Sequence, residues 1–155
     1  MEREHKYSLI IKWTGNTGKG TINYHSYIRD YKINTANKPE LTGSADKAFR
    51  GDHTKYNPED LFVASLSVCH MLTYLHQCAD SGVIVLDYQD DAEGIMIETK
   101  DGGGRFKRVT LFPLVKVSDK SMINKAIELH NEAHKLCFIA NSCNFPILHN
   151  PKCII

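Results

Sequence analysis

A long apolar segment in the middle of the chain constrains its fold more than any other feature. It runs from Asn57 to Gly82 and reads NPEDLFVASLSVCHMLTYLHQCADSG. Asn57 is a preferred N-cap residue, Pro58 suits the first helical position, and a glycine such as Gly82 can end a helix in the left-handed conformation. The segment therefore predicts a helix over residues 57–82.

Apolar side chains of this predicted helix point in almost every direction around its axis. They are Leu61, Phe62, Val63, Ala64, Leu66, Val68, Met71, Leu72, Tyr74 and Leu75. A helix that is apolar nearly all round is buried on most sides. One small sheet is hard to wrap around such a helix, so we expect a second copy of the chain to cover the rest of it in an obligate homodimer.

The residues before the helix are predicted to form a β-hairpin within about residues 1–35. Its strands, 7–13 and 21–33, are rich in β-branched and aromatic residues. Residues 34–56 are polar and are interpreted as a long loop, which in a compact domain is usually functional or mobile.

The residues after the helix are predicted to form a β-meander over residues 83–117 and a second helix over residues 119–136. The three strands of the meander are 83–90, 94–100 and 105–117. The second helix has one apolar face and a polar back, and Ser118 or Asp119 caps it. A last edge strand and loose residues complete the tail. Together these elements predict a single α+β domain over residues 1–155.

Charge and hydropathy exclude several classes of partner. The net charge is only +1, with 19 basic and 18 acidic residues, so nothing favours binding to nucleic acid or to an anionic membrane. No apolar run approaches the roughly 18 residues that a membrane span needs. The first residues, MEREHKY, are charged and polar, unlike a signal peptide. We therefore expect a cytoplasmic protein without nucleic-acid or membrane partners.

Five cysteines are the main candidates for chemistry. In a cytoplasmic protein of this size they are better interpreted as thiols than as a disulfide framework. Cys69 lies in the middle of the predicted helix, where a free cysteine often packs as a small apolar residue. It is too far from the helix start to be activated by the helix dipole. A reactive Cys69 thiolate therefore needs a nearby cation, and Arg29, Arg50 and the histidines are the candidates.

Two sequence blocks carry a family resemblance. NPEDLFVASLSVCH, with Cys69, resembles the signature of the osmotically inducible protein C and organic hydroperoxide resistance (OsmC/Ohr) family of thiol peroxidases, and HKLCFIANS, with Cys137, resembles their second cysteine motif. The resemblance in order and length covers nearly the whole chain. It implies antiparallel sheets wrapped around buried central helices in an intertwined homodimer. It also implies that Cys69 is the reactive cysteine and Cys137 its resolving partner.

The resemblance extends to charged residues. Arg50, in AFRGD, looks like the arginine that OsmC-type members carry in this loop, and Arg29, in IRDY, is the second candidate. The hydroperoxide resistance subgroup places its arginine in the first hairpin turn, where this chain has Lys19. Glu59 matches the glutamate that orients the arginine through an ion pair. Ten residues of helix, roughly 15 Å, separate Glu59 from Cys69, so an arginine or the other subunit must connect them.

A metal site is the rival hypothesis for the polar residues. Possible ligands are His70, His76, Cys78, His130, His134 and Cys137. No Cys-x-x-Cys or His-Glu-x-x-His spacing occurs among them, so no metal is predicted. His134 is instead expected to lie near Cys137 and tune it. Of the other cysteines, Cys78 faces away from Cys69 on the helix, Cys143 is interpreted as core filler, and Cys153 as a loose tail thiol.

The resemblance implies a thiol-dependent peroxidase, an antioxidant activity of oxidative stress responses. Cys69 would become a sulfenic acid, Cys137 would convert it to a redox-active disulfide, and an external dithiol of lipoyl or thioredoxin type would reduce the disulfide without any bound cofactor. Organic hydroperoxides are the expected substrates, with hydrogen peroxide as a second candidate. The alternative is a non-catalytic dimer that binds a small molecule on the same fold with inert cysteines.

Overall fold

The computed structural model describes residues 3–155 and confirms an α+β fold. The chain divides into two compact units, one ending at Leu61 and the other beginning at Phe62. Each unit has its own sheet structure, and the longest helix, α1 (Pro58–Asp80), agrees closely with the helix predicted over residues 57–82.

The first unit contains a three-stranded antiparallel sheet. Its strands are β1 (Ile10–Trp13), β2 (Tyr31–Asn34) and β3 (Leu41–Gly43), in the order β1-β2-β3. The β1–β2 pair, which matches Ile10 with Asn34 and Trp13 with Tyr31, is the predicted hairpin. The predicted long loop over residues 34–56 is interrupted by β3 and by a short 3-10 helix, Lys47–Phe49.

The predicted strand over residues 21–33 is wrong for most of its length, because only its end belongs to β2. Side chains compete with the strand ladder for the backbone groups of this segment. The Ser26 hydroxyl donates to the carbonyls of Gly20 and Asn23, each at 2.9 Å. Asn23 in turn accepts from the N–H of His25 at 2.9 Å. Residues 21–27 therefore form turns and bends.

Helix α1 begins with a reciprocal cap. The Asn57 side chain accepts from the N–H of Asp60 at 2.7 Å, and the Asp60 carboxylate accepts from the N–H of Asn57 at 3.2 Å. This arrangement satisfies two backbone donors at the helix start, as in a capping box. Past the other end, Gly82 has φ 72°, the left-handed conformation that the sequence predicted there.

The second unit contains two three-stranded sheets of mixed direction. One is formed by β4 (Val85–Asp90), β7 (Pro113–Val117) and β9 (Lys152–Ile154), and the other by β5 (Glu93–Glu98), β6 (Gly104–Leu111) and β8 (Ile147–His149). The pairs β7–β9 and β6–β8 are parallel, whereas β4–β7 and β5–β6 are antiparallel. Helix α2 (Ile123–Leu136) follows a 3-10 helix (Lys120–Met122) that Asp119 caps, and the short α3 (Phe138–Asn141) follows α2.

The predicted three-stranded meander is wrong, because residues 83–117 form four strands in two sheets. The break falls at Phe112, whose N–H donates to the Asp90 carboxylate at 2.7 Å. Pro113, which lacks an N–H, then starts β7 in the other sheet. The tail is not loose either, since β9 pairs with β7 from Leu114–Lys152 to Lys116–Ile154.

Within this chain, helix α1 is buried on one side and exposed on the other, and the burial of its exposed side by a second copy stays a prediction. The buried stripe is Leu66, His70, Tyr74 and Cys78. The exposed stripe is Ala64, Val68, Leu72 and His76. Val68 is 48% exposed and Leu72 is 59% exposed, so an apolar surface faces away from the core.

By length and composition alone, α1 could cross a membrane, which also corrects the expectation that no segment qualifies. Its best 18-residue window has a mean hydropathy of 1.2. The core helix of a soluble protein passes the same test. Within this chain 22% of that window is buried, and Tyr74 and Cys78 of its buried stripe lie in one core cluster with Leu129 and Ala133 of α2.

Candidate functional site

Two cysteines are neighbours in the second unit. Cys69 lies in α1 and is partly buried, whereas Cys137 follows the last residue of α2 and is 1% exposed. The Cys69 side chain is close enough to raise the pKa of the Cys137 thiol. The structure therefore brings together the two cysteines that the sequence motifs single out, and both are free thiols.

The environment of Cys137 keeps its thiol protonated. Burial raises its pKa from 9.0 to about 11, with a further contribution from Cys69, while the N–H groups of Ala140 and Ile139 at the start of α3 act in the opposite direction. A thiol with this pKa is almost entirely neutral at pH 7 to 8 and is a weak nucleophile there. Cys137 is therefore unsuited to the first attack on a substrate but can supply a proton to a neighbouring group.

A cleft of about 620 Å³ lies within the second unit, and its lining includes sequence neighbours of both cysteines but neither Cys69 nor Cys137 itself. The side chains that line it are Phe62, Ser65, Ile139, Ser142, Cys143, Asn144 and Phe145. Ser65 precedes Cys69 by one helical turn, and Ile139 follows Cys137 by two residues. The two phenylalanines and the isoleucine give this cleft an apolar wall of the kind that binds organic ligands.

In the first unit, Arg50 and Glu59 are not paired with each other. Arg50 ends the 3-10 helix in the left-handed conformation, with φ 65°, and its side chain is exposed. The Oε2 atom of Glu59 is buried and has no hydrogen-bond partner within residues 3–155. Burial is the largest cause of the raised pKa of Tyr31, and the charge of the Glu59 carboxylate is the second. The ion pair that the family resemblance implies is therefore not formed among the described residues of this chain.

Arg29 is occupied by its own loop. Its guanidinium lies over the rings of Tyr24 and Tyr27, at 4.3 and 4.1 Å from their centroids. It also donates to the carbonyls of the same two tyrosines, each at 2.5 Å. These contacts favour a structural role for Arg29 and leave Arg50 as the stronger candidate for a catalytic cation.

Four histidines cluster in the second unit, where His70 and His130 are buried and His134 and His149 are half-buried. His70 and His130 are joined by a hydrogen bond of 3.0 Å between Nε2 and Nδ1. The ring of His149 lies 5.6 Å from that of His70 and 5.4 Å from that of His134. Burial lowers the pKa of His70 to about 4 and that of His130 to about 3, so both rings are neutral at physiological pH.

This cluster only partly matches the residues considered from sequence. No three His, Cys, Asp or Glu side chains within residues 3–155 are arranged to hold a metal ion. His76 lies on the exposed stripe and pairs with Asp80 at 3.1 Å. Sequence reasoning missed His149, which comes from a short strand in the tail and has no motif around it.

The expectation that His134 tunes Cys137 finds no support in its side chain. The contact between the two residues is through the backbone, where the Cys137 N–H donates to the His134 carbonyl at 3.4 Å. The His134 ring packs instead against His149. Burial, Cys69 and the two α3 amides account for the pKa of Cys137.

The remaining cysteines occupy three different environments. Cys78 is 1% exposed beside Tyr74, and burial raises its pKa. Cys143 packs against a core cluster, as expected, but it also lines the cleft, with its Sγ 3.3 Å from the Ile139 carbonyl. Cys153 is not a loose tail thiol, because it lies in β9 opposite Val115.

Comparison with known proteins defines the class to which this fold and this cysteine pair belong. The family model for OsmC-like proteins matches residues 51–150, which is more than half of the chain. The chain therefore belongs to the OsmC-like family, and the resemblance seen in its two cysteine motifs is confirmed.

Individual relatives agree with this assignment. The uncharacterized protein YmaD of Bacillus subtilis (strain 168) is 29% identical over 141 residues, which cover 90% of this chain and 82% of that protein. An OsmC-like protein of unknown function from Vibrio cholerae has a TM-score of 0.86 at 27% identity, covering 96% of this chain and 100% of the other. An organic hydroperoxide resistance protein from Elizabethkingia anophelis has a TM-score of 0.68 at 19% identity, covering 97% and 98%. The fold is thus that of OsmC and organic hydroperoxide resistance proteins.

Proposed function

We propose that this protein is a thiol-dependent peroxidase that reduces organic hydroperoxides. The observation that carries the proposal is the juxtaposition of Cys69 and Cys137 in the second unit. Membership of the OsmC-like family and a structural relative named an organic hydroperoxide resistance protein support it.

The proposed reaction uses each thiol once. The Cys69 thiolate attacks the distal oxygen of the hydroperoxide, the O–O bond breaks, and the alkoxide leaves as an alcohol after taking a proton, so that Cys69 becomes a sulfenic acid. Cys137 then attacks the Cys69 sulfur, its thiol proton leaves with the hydroxyl group as water, and a disulfide forms. An external dithiol, of lipoyl or thioredoxin type, reduces the disulfide and is itself oxidised. No bound cofactor takes part.

The environment of Cys137 suits the second step of this cycle. Its raised pKa keeps the Cys137 thiol protonated and unreactive while Cys69 reacts with the peroxide. Once Cys69 carries a hydroxyl group, the neighbouring thiol has both the proton and the sulfur that disulfide formation consumes. In this proposal Cys137 therefore reacts second, because burial holds its thiol protonated.

Arg50 and Glu59 have an electrostatic role in this proposal. Arg50 supplies the positive charge that the thiolate and the developing alkoxide need, and Glu59 orients it through an ion pair. The unpartnered Oε2 of Glu59 supports this, because a buried carboxylate oxygen without a donor is costly and a guanidinium would satisfy it. Arg29 is the alternative cation, although its donors are already used.

The apolar cleft favours organic hydroperoxides over hydrogen peroxide. Its phenylalanine and isoleucine side chains can bury the hydrocarbon part of a substrate, which contributes about 25 cal/mol for each Å² removed from water. Hydrogen peroxide has no such part, so we place it second.

We further infer a cytoplasmic homodimer as the working form of the enzyme. Val68 and Leu72 on α1 and Ile10 and Ile11 on β1 are all exposed in the single chain. An exposed apolar stripe on a long helix, as on α1, is typical of a face that a second copy covers.

One assay separates this function from a non-catalytic binding role for the same fold. The protein is incubated with cumene hydroperoxide and dihydrolipoamide, and peroxide loss is compared with that of the Cys69→Ser variant. We expect catalytic loss with the wild type and background loss with the variant. If the wild type shows only the background loss of the variant, the binding alternative replaces the peroxidase.

A further inference from the structure

A buried hydrogen bond joins α1, which carries Cys69, to α2, which Cys137 directly follows. It joins Nε2 of His70 to Nδ1 of His130 over 3.0 Å, and each residue is 1% exposed. His70 directly follows Cys69 on α1, and His130 precedes Cys137 by about two turns of α2. The polar contact between the helices therefore lies one residue from one thiol and two turns from the other.

The surroundings of the pair leave this hydrogen bond without a substitute. The Nδ1 atom of His70 has no partner within residues 3–155. Tyr74 stacks on the His130 ring at 3.9 Å, and His149 lies 5.6 Å from the His70 ring. If His130 is lost, both ring nitrogens of His70 are buried without a protein partner, which is strongly unfavourable.

A hydrogen bond is directional and can fix the relative position of these helices, which their apolar contacts cannot. Apolar packing between α1 and α2 is non-directional and permits small shifts. A hydrogen bond weakens within a few tenths of an ångström and with misalignment, so it fixes the register of the two helices. A disulfide in turn requires Cα atoms within about 4.4–6.8 Å and a narrow range of torsions. A shift of about 1 Å between the helices is enough to slow formation of the disulfide.

We propose that the His70–His130 hydrogen bond is a positioning pair that holds Cys69 and Cys137 at the separation at which they form a disulfide. Neither histidine contacts the peroxide in this proposal. Its place in the catalytic cycle rests on the proposed peroxidase function, but the positioning itself does not depend on that function.

The geometry of the bond supplies matched variants. His130→Leu removes the bond and keeps an apolar side chain in the core. His130→Asn restores a polar nitrogen or oxygen near the position of Nδ1 and so retains a partner for His70. The control is Glu128→Leu, on the same helix as His130 but on its exposed face, where the side chain is 69% exposed.

The first experiment measures the equilibrium between the two thiols and glutathione. The two thiols and one oxidised glutathione give the intrachain disulfide and two reduced glutathiones, and the ratio at the midpoint gives the effective concentration of the pair. We expect His130→Leu to lower this concentration at least tenfold, His130→Asn to restore it to within about threefold, and Glu128→Leu to leave it unchanged. An unchanged value in folded His130→Leu, or a value for His130→Asn as low as that for His130→Leu, overturns the proposal.

A measurement on the wild type keeps the proposal testable if His130→Leu does not fold. Nitrogen-15 NMR of the reduced protein reports which ring nitrogens carry protons and whether a coupling crosses the hydrogen bond. We expect one of the two facing nitrogens to be protonated, the other unprotonated, and a coupling between them. Two facing nitrogens in the same protonation state, with no coupling, overturn the proposal.

The last arm uses a single turnover with one equivalent of cumene hydroperoxide. For His130→Leu we expect an unchanged rate of peroxide loss. We expect the Cys69–Cys137 disulfide to form at least tenfold more slowly and Cys69 to become over-oxidised. An equal loss of both rates shows a merely structural role and overturns the positioning pair. Because the glutathione equilibrium involves no peroxide, a protein that consumes no peroxide but shows the expected equilibria refutes only the peroxidase.

Discussion

The raised pKa of Cys137 leads to a prediction that uses neither substrate nor reductant. The pKa rises from 9.0 to about 11, first because the thiol is buried and then because Cys69 is adjacent. Each pKa unit is a factor of ten in thiolate population. At pH 8 the thiolate fraction is therefore roughly one in a thousand instead of roughly one in ten, so we expect Cys137 to be about a hundredfold less ionised than an ordinary thiol.

The assay is alkylation by iodoacetamide across pH 7 to 11, with the labelled cysteines separated by peptide mapping. Labelling of Cys137 should rise about tenfold for each pH unit up to about pH 10, while the same residue in urea-unfolded protein levels off near pH 9. Cys69→Ala removes one of the two causes that raise the pKa, so its midpoint for Cys137 should fall towards 9 without reaching it. A wild-type midpoint near 9, or the same midpoint in Cys69→Ala, refutes the described environment of Cys137.

Three further predictions address the cation, the dimer and acid stability. Arg50→Ala should lower peroxide turnover by about two orders of magnitude with an unchanged circular dichroism spectrum. Arg29→Ala should instead lower the free energy of unfolding in urea by about 1–2 kcal/mol. Equal turnover of Arg50→Ala and wild type moves the role of catalytic cation to Arg29. Leu72→Glu places a charge on the exposed apolar stripe of α1 and should convert a dimer to a monomer in sedimentation, and an unchanged dimer contradicts the proposed interface. Burial lowers the pKa values of His70 and His130 below the ordinary 6.5, so their stabilisation is complete above pH 6.5 and is lost as the pH falls towards 4, by on the order of 3 kcal/mol for each histidine. Urea unfolding at steps of half a pH unit measures how the free energy of unfolding depends on pH. A free energy of unfolding that stays constant from pH 6.5 to 4.5 rules out this prediction.

Much of the site and of the central helix is predictable because it depends on local sequence. The Asn57 cap, the first-turn carboxylates and Gly82 define α1 to within about two residues at either end. Cys69 and Cys137 stand out because their surrounding motifs match the family, although spacing alone does not reveal that residues 68 positions apart become neighbours.

The features that the sequence does not predict depend on contacts between distant residues. The break at Phe112 depends on a carboxylate 22 positions away, which takes the N–H that a continuous strand would have used. The loop around Arg29 forms because a guanidinium occupies the carbonyls of Tyr24 and Tyr27. His149 joins the histidine cluster only because the tail returns to the sheet as β8.

The most direct test of the peroxidase proposal is the identity of the disulfide formed by one equivalent of cumene hydroperoxide. Reduced protein is treated, alkylated and digested, and the peptides are mapped by mass spectrometry with and without reduction. We predict a single intrachain bridge between Cys69 and Cys137, with Cys78 and Cys143 still alkylated as thiols. Cys137→Ser should consume one equivalent and then stop, with Cys69 held as sulfenic or sulfinic acid. If Cys69 remains a thiol, or if it bridges to another cysteine, the proposed mechanism is contradicted.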